Sequence, residues 1–113
     1  VKGKPEIVYD DFDKCEFKVG TIIESGKVEG ADKLLKFSVK IGEEVRTIVS
    51  GVAPFYTPEY MLNKKVVVCT NLKPRKIRGV ESKGMILYAM DENEEHLCFV
   101  TPEKDMEDGA IVC

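Results

Sequence analysis

From Leu34 to Ile41 apolar and polar residues alternate: Leu35, Phe37, Val39 and Ile41 against Lys36, Ser38 and Lys40. A period of two sends the first set to one face of an extended strand and the second to the other. Such a chain must bury one side of a sheet and leave its other side in water. The run at 15–28 behaves similarly, with Phe17, Val19, Thr21 and Ile23 alternating with Glu16, Lys18, Gly20 and Ile22. Gly20 in its middle predicts a bulge or a sharp bend. Residues 45–49 and 65–70 supply a third and fourth strand, 83–90 a fifth, 96–100 a short sixth and 110–112 a last edge strand.

Helix is sparse. Thr57 followed by Pro58 reads as an N-cap and a proline at the first helical position, and this helix should end near Asn63. Residues 10–14 predict a helical turn with an Asp as its N-cap. The pattern is all-β: a five-stranded barrel of the OB type, with a short helix between strands 3 and 4 and a C-terminal strand extension. Another small β-barrel or a sandwich is the competing architecture. At 113 residues a single domain is expected. It should occupy residues 11–113, after a polar tail at 1–10 that is either disordered or packs on a partner subunit through Ile7, Val8 and Tyr9.

Net charge is −3, yet it is unevenly spread. Residues 91–113 carry eight acids and one base, Lys104, whereas residues 1–90 hold 16 bases against 12 acids. The bases concentrate between the apolar runs at 66–69 and 85–89, where Lys73, Arg75, Lys76, Arg78 and Lys83 face one acid, Glu81. Pro74, Gly79 and Gly84 break that stretch. It is either a solvated loop or a site at which a phosphate polymer relieves the repulsion among the cations. The four cysteines, Cys15, Cys69, Cys98 and Cys113, have no CxxC spacing and there is one His, so zinc and redox motifs are absent. Reduced thiols in the cytoplasm are expected, with Cys69 and Cys98 serving as small hydrophobes in strands. No run of 18 apolar residues marks a membrane helix, and residues 1–13 lack the apolar stretch of a signal peptide.

The order Asn71-Leu-Lys-Pro-Arg-Lys-Ile-Arg-Gly-Val-Glu-Ser-Lys-Gly-Met85 resembles the signature of the tRNA-binding domain family. Members of that family occur as the C-terminal dimerisation domain of methionyl-tRNA synthetases, as free-standing tRNA-binding proteins and as cytokine-like synthetase cofactors. Residues 11–20, 31–35 and 48–52 are similar to further family segments in the same order, so the resemblance covers about 11–109. It implies an OB barrel that forms homodimers and binds tRNA largely by shape. It also implies phosphate contacts from Lys73, Arg75, Lys76 and Arg78, and a binding face that includes Lys33, Ser50, Ser82, Lys83 and Met85.

The chemistry agrees in kind. Arg offers a planar fork to phosphate oxygens and Lys a point charge. Ser82 can donate to a phosphate or to a 2′-hydroxyl. Met85 either packs under a base or belongs to the core, and Asn71 is either a contact or a turn-stabilising residue. Lys64 and Lys65 either extend the patch or are solvated. There is no Trp, and Phe37, Tyr88 and Phe99 read as core. That leaves Phe55 and Tyr56 as stacking platforms, which favours recognition of folded shape over unpaired bases.

No nucleophile–base arrangement, Gly-rich phosphate loop or metal cluster is legible, and His96 beside Glu94 and Glu95 reads as structural or solvated. A non-enzyme is expected, without cofactor or metal. Its partners would be tRNA, a second copy and the catalytic body of a synthetase. The alternative is a dimeric peptide-binding chaperone of the same fold, which would use an apolar groove. The basic loop, with few exposed apolar residues, favours RNA. A protein-docking or cytokine-like module also fits the fold.

Overall fold

The computed structural model describes residues 3–113, so Val1 and Lys2 of the expected tail lie outside the described residues. In chain order the elements are α1 (Tyr9–Asp13), β1 (Phe17–Val28), β2 (Ala31–Ile41), β3 (Glu44–Ser50), α2 (Pro58–Met61), β4 (Lys65–Cys69), β5 (Arg75–Ile77), β6 (Val80–Ser82), β7 (Met85–Ile86), β8 (Tyr88–Met90), β9 (Leu97–Phe99) and β10 (Ile111–Val112). The chain is strand-dominated, as its period-two runs require.

The alternation in β2 sets the core. Leu35, Phe37 and Val39 are fully buried and Ile41 nearly so, packed with Ile22, Ile48, Val66 and Val68. β2 pairs antiparallel with β1 on one edge and β3 on the other, which places Phe37 opposite Ser25 and Ile48. β4 pairs with the first half of β1, from Phe17↔Cys69 to Thr21↔Lys65. Its unbroken Val66–Val67–Val68–Cys69 run is buried throughout, as an apolar run without polar interruption must be. α2 starts as expected: the Thr57 hydroxyl accepts from the Tyr60 N–H (3.2 Å) and Pro58 follows it, while Met61 is driven fully into the core.

The principal sheet runs β3-β2-β1-β4-β7, with β10 added on β1. It is not closed into a barrel by strand pairing. Residues 83–90 do not form one strand: only Met85 and Ile86 reach β4, and the remainder bends at Leu87 so that β8 pairs with β9. The Leu87 N–H still goes to the Val67 carbonyl (2.9 Å), and the Leu87 carbonyl accepts from Val100 (3.1 Å). Among the described residues the ends of the sheet meet through one main-chain bond, Lys83 N–H to the Thr47 carbonyl (2.8 Å).

Gly20 has a different reason from the expected bend. A Cβ there would sit 2.7 Å from Cγ1 of Val39 and 3.0 Å from Cγ1 of Ile41, so β2 side chains already fill its space. The register shift lies further on, between Ile22 and Glu24, and leaves Ile22 in the core with Ile23 outside. Two more expectations change. The N-cap of α1 is Val8, with no side-chain bond, and Asp10 and Asp11 lie inside the first turn, where their charge suits the helix dipole. Cys98 is exposed while Cys69 is buried, and all four cysteines are unpaired.

The C-terminal strand extension is present, and Asp108 anchors it. Its carboxylate accepts from the Thr21 hydroxyl and from Lys65 Nζ (3.1 Å) and lies 3.7 Å from Lys40 Nζ. The next residues bond along β1, with Gly109 N–H to the Val19 carbonyl (2.7 Å) and Val19 N–H to the Ala110 carbonyl (2.9 Å). Burial alone would raise the Asp108 pKa. The Thr21 hydroxyl, Lys65 and Lys40 outweigh it and hold the carboxyl below its ordinary 3.8. A depressed folded-state pKa gives stability that is present above 3.8 and lost as pH falls through the lower folded value. We expect Asp108→Asn to cost roughly 1–3 kcal/mol at neutral pH. It should also flatten the acid limb of the stability curve, measured by urea unfolding between about pH 5 and 2.

Candidate functional site

The basic stretch is not a loop but a hairpin outside the principal sheet. β5 and β6 pair as Arg75↔Ser82, Lys76↔Glu81 and Ile77↔Val80. Arg78 (φ 52°) and Gly79 (φ 81°) form a two-residue turn with both backbones left-handed, the geometry of a type I′ hairpin. Glycine suits that conformation and arginine does not, so Arg78 is held at the tip against its own preference.

Three contacts fasten the hairpin to the body. Ile77 and Val80 pack on Val28, Ala31 and Val49. The Ser82 hydroxyl accepts from the Val49 N–H (3.0 Å) and donates to the Gly84 carbonyl (3.3 Å). Arg46 donates to the Thr70 carbonyl and to the Lys83 carbonyl (3.2 Å), with its Nε 3.1 Å from Glu44. Ser82 is therefore a buried clasp rather than the free donor expected of it. Arg46 was not singled out in the sequence. Its only signal there was a charge on a strand beside buried Ile48. Asn71 fastens its segment to the residues just before β1: it accepts from the Glu16 N–H (2.9 Å) and donates to the Lys14 carbonyl (2.6 Å).

Alternation along the hairpin sorts its side chains onto two sides. On one side opens a cleft of about 800 Å³ bordered by Lys73, Arg75, Ser50, Ser82 and Met85. On the other is a cavity of about 720 Å³ lined by Glu81 and Lys83 together with Lys36, Glu24 and Ser25. Lys76 pairs across the ladder with Glu81, and Arg78 stands at the tip. Lys33 is exposed on β2 and lines neither space. The structure thus gathers five of the nine expected site residues around one cleft and places Lys83 behind it.

The cleft is more apolar than the sequence suggested. Leu72, Met85 and Met90 line it while about half exposed, and Phe55, Val52 and Ile86 continue the surface. Tyr88 also borders it. Its hydroxyl is buried, and burial pushes the phenol up to about 12, with the Ser50 hydroxyl opposing that only in part. Tyr56 is not a free platform. It stacks on Tyr60 (5.4 Å, 12° between planes) and its hydroxyl accepts from the Phe99 N–H (3.3 Å). Lys64 lies over the Tyr60 ring (4.7 Å), so it is bound there rather than extending the hairpin patch.

The electrostatics leave the hairpin cations available. Among the described residues Lys73, Arg75, Lys76 and Arg78 form no ion pair, and Lys83 meets Glu81 at 3.7 Å. The C-terminal acids Asp105 and Asp108 engage Lys65 and Lys40 instead. His96 is exposed and bonded to Asp91 (2.7 Å). Among the described residues no helix is long and apolar enough to cross a membrane, and no group of three or more His, Cys, Asp or Glu is placed to hold a metal.

The family model described as "Putative tRNA binding domain" matches residues 17–111. A methionine–tRNA ligase of Caldanaerobacter subterraneus subsp. tengcongensis is 45% identical over 106 residues, which cover 94% of this chain and 16% of that protein. The chain spans about a sixth of the length of the curated relatives it matches. Among solved structures, a MetRS-related protein from Pyrococcus horikoshii superposes with a TM-score of 0.91 at 35% identity, over 97% of this chain and 100% of that one. The chaperone CsaA of Bacillus anthracis str. Ames superposes with a TM-score of 0.87 at 16% identity, over 96% of this chain and 100% of that one, a likeness of fold alone.

Proposed function

Because the chain belongs to the tRNA-binding domain family, we propose that it is a non-catalytic module that holds tRNA, as the C-terminal part of a methionyl-tRNA synthetase or as its free-standing equivalent in the cytoplasm. The observation that carries the reading is the β5–β6 hairpin. It presents Arg75, Lys76 and Arg78 on a two-stranded arm, with Lys73 just before it, all without an ion pair among the described residues, while Asp105 and Asp108 of the C-terminal segment pair with Lys65 and Lys40. Such an arm suits a phosphate backbone, which contributes affinity without reading sequence. The curled sheet with the hairpin projecting from it is in keeping with an OB-type body.

A specific observation keeps the peptide-binding alternative in play: the cleft beside the hairpin is apolar-floored. Titrating total tRNA and an unfolded apolar peptide in parallel separates the two. tRNA should bind with a slope of log affinity on log salt of about −3 or steeper. A salt-insensitive peptide complex with no tRNA binding would overturn the assignment.

The homodimer is part of the same proposal. Ile7, Val8 and Tyr9 are mostly exposed. Tyr9 meets Phe12 (6.4 Å between ring centroids), Phe12 meets Phe17 (6.1 Å), and Phe17 pairs with Val112 beside exposed Ile111. This continuous apolar strip suits a second copy. In sedimentation equilibrium the chain should run as a dimer, and Phe12→Glu with Ile111→Glu as a monomer. A monomeric wild-type chain at tens of micromolar would refute it.

A further inference from the structure

The cleft has a second charged wall. Glu94, in the turn between β8 and β9, lines the same space as Lys73 and Arg75, yet no ion pair joins it to either among the described residues. Opposite charges that share a cleft without neutralising one another leave room between them for a ligand that satisfies both. The turn carrying Glu94 is firmly built. Glu94 is left-handed (φ 59°) with its N–H on the Asp91 carbonyl (3.0 Å). The Asp91 carboxylate accepts from the N–H groups of Glu95 (2.8 Å) and His96 (3.1 Å) and bonds the His96 ring. Asp91 is thereby engaged, and Glu94 is the acid presented to the cleft.

Resting on the tRNA-binding reading, we propose that this cleft takes one unpaired nucleotide of the RNA, its phosphate on Lys73 and Arg75 and the donor edge of its base on Glu94. Leu72, Met85 and Met90 give the base face an apolar surface, which accepts any ring. The carboxylate then discriminates. It accepts hydrogen bonds and donates none, so it favours bases that present amino or imino hydrogens. Guanine offers two such donors side by side and matches both carboxylate oxygens, whereas uracil offers one between two acceptors. A phosphate would be repelled at the Glu94 wall, which orients the nucleotide with its base toward the acid. A peptide is less suited, because the rim of the cleft carries Lys73 and Arg75 and the hairpin tip beyond it carries Arg78, charges matched to a polyanion.

The test uses the intact chain with isotope-labelled methionine methyls and three probes: GMP, UMP and inorganic phosphate. GMP should shift the Met85 and Met90 signals with roughly 5-fold tighter binding than UMP, and phosphate alone should shift neither. Glu94→Ala, an exposed position, should bring GMP and UMP to equality while the salt slope of tRNA binding stays unchanged. Equal binding of GMP and UMP by the wild type, or silent methyls, overturns the proposal. So does an apolar peptide that moves these methyls and displaces tRNA while GMP does not. The salt slope separates this failure from that of the wider reading: a steep slope with a silent cleft sinks the nucleotide pocket alone, and a flat slope sinks the RNA assignment with it.

Discussion

Replacing Lys73, Arg75 and Arg78 together by Ala should weaken tRNA binding by about 100-fold at 0.1 M salt and lower the salt slope by about 2–3. Each cation lacks an ion-pair partner among the described residues, so its removal leaves none of their acids stranded and the fold should be little disturbed. Three contacts at about 1 kcal/mol each, with tenfold in affinity for every 1.4 kcal/mol, account for the size of the loss. A control separates charge from conformation. Arg78 occupies a left-handed position that Asn tolerates better than Arg, next to Gly79, and Asn-Gly is a favoured pair for this turn. Arg78→Asn should therefore hold or raise stability by about 0.5 kcal/mol while lowering tRNA affinity several-fold. Both are read by gel shift across a salt series and by thermal melts. Unchanged affinity of a folded triple variant would remove the hairpin from the interface.

Phe37→Ala should lose about 3–5 kcal/mol of folding stability. Phe37 is fully buried at the centre of β2, between β1 and β3, and its ring is the largest fully buried side chain among the described residues. Its neighbours Ile48, Val39 and Leu35 are held in paired strands and have little freedom to collapse into the void. At roughly 4–6 °C per kcal/mol the midpoint of thermal unfolding should fall by about 12–30 °C. A loss below about 1 kcal/mol would mean that this core repacks freely and that β2 does not organise it.

The contrast between these two sites shows what was legible in advance. Phe37 could be read from the sequence because burial of a strand residue follows from its parity, and parity is local. The cations of the hairpin were legible for a similar reason: charge is a property of each residue. Their grouping was not. Lys83 belongs by position to the same basic stretch, yet the pleat turns it toward Glu81 and the rear cavity. Ser82 reads as a free hydroxyl and is a clasp for Val49 and Gly84. Gly20 reads as a bend and instead makes room for Val39.

Local periodicity, turn chemistry and residue type, all written into the chain, determined that this protein is built of strands, where the short helix at Thr57 begins, and that a cationic arm breaks an otherwise apolar run. Tertiary structure alone decided that the sheet stays open, that Arg46 and Ser82 clasp the arm, and that Leu72, Met90 and Glu94 share a cleft with Lys73 and Arg75. Those residues come from separate stretches of chain, and their meeting depends on strand registers and on the bend at Leu87. Such long-range geometry arises from packing the whole core, and no short window of sequence carries it.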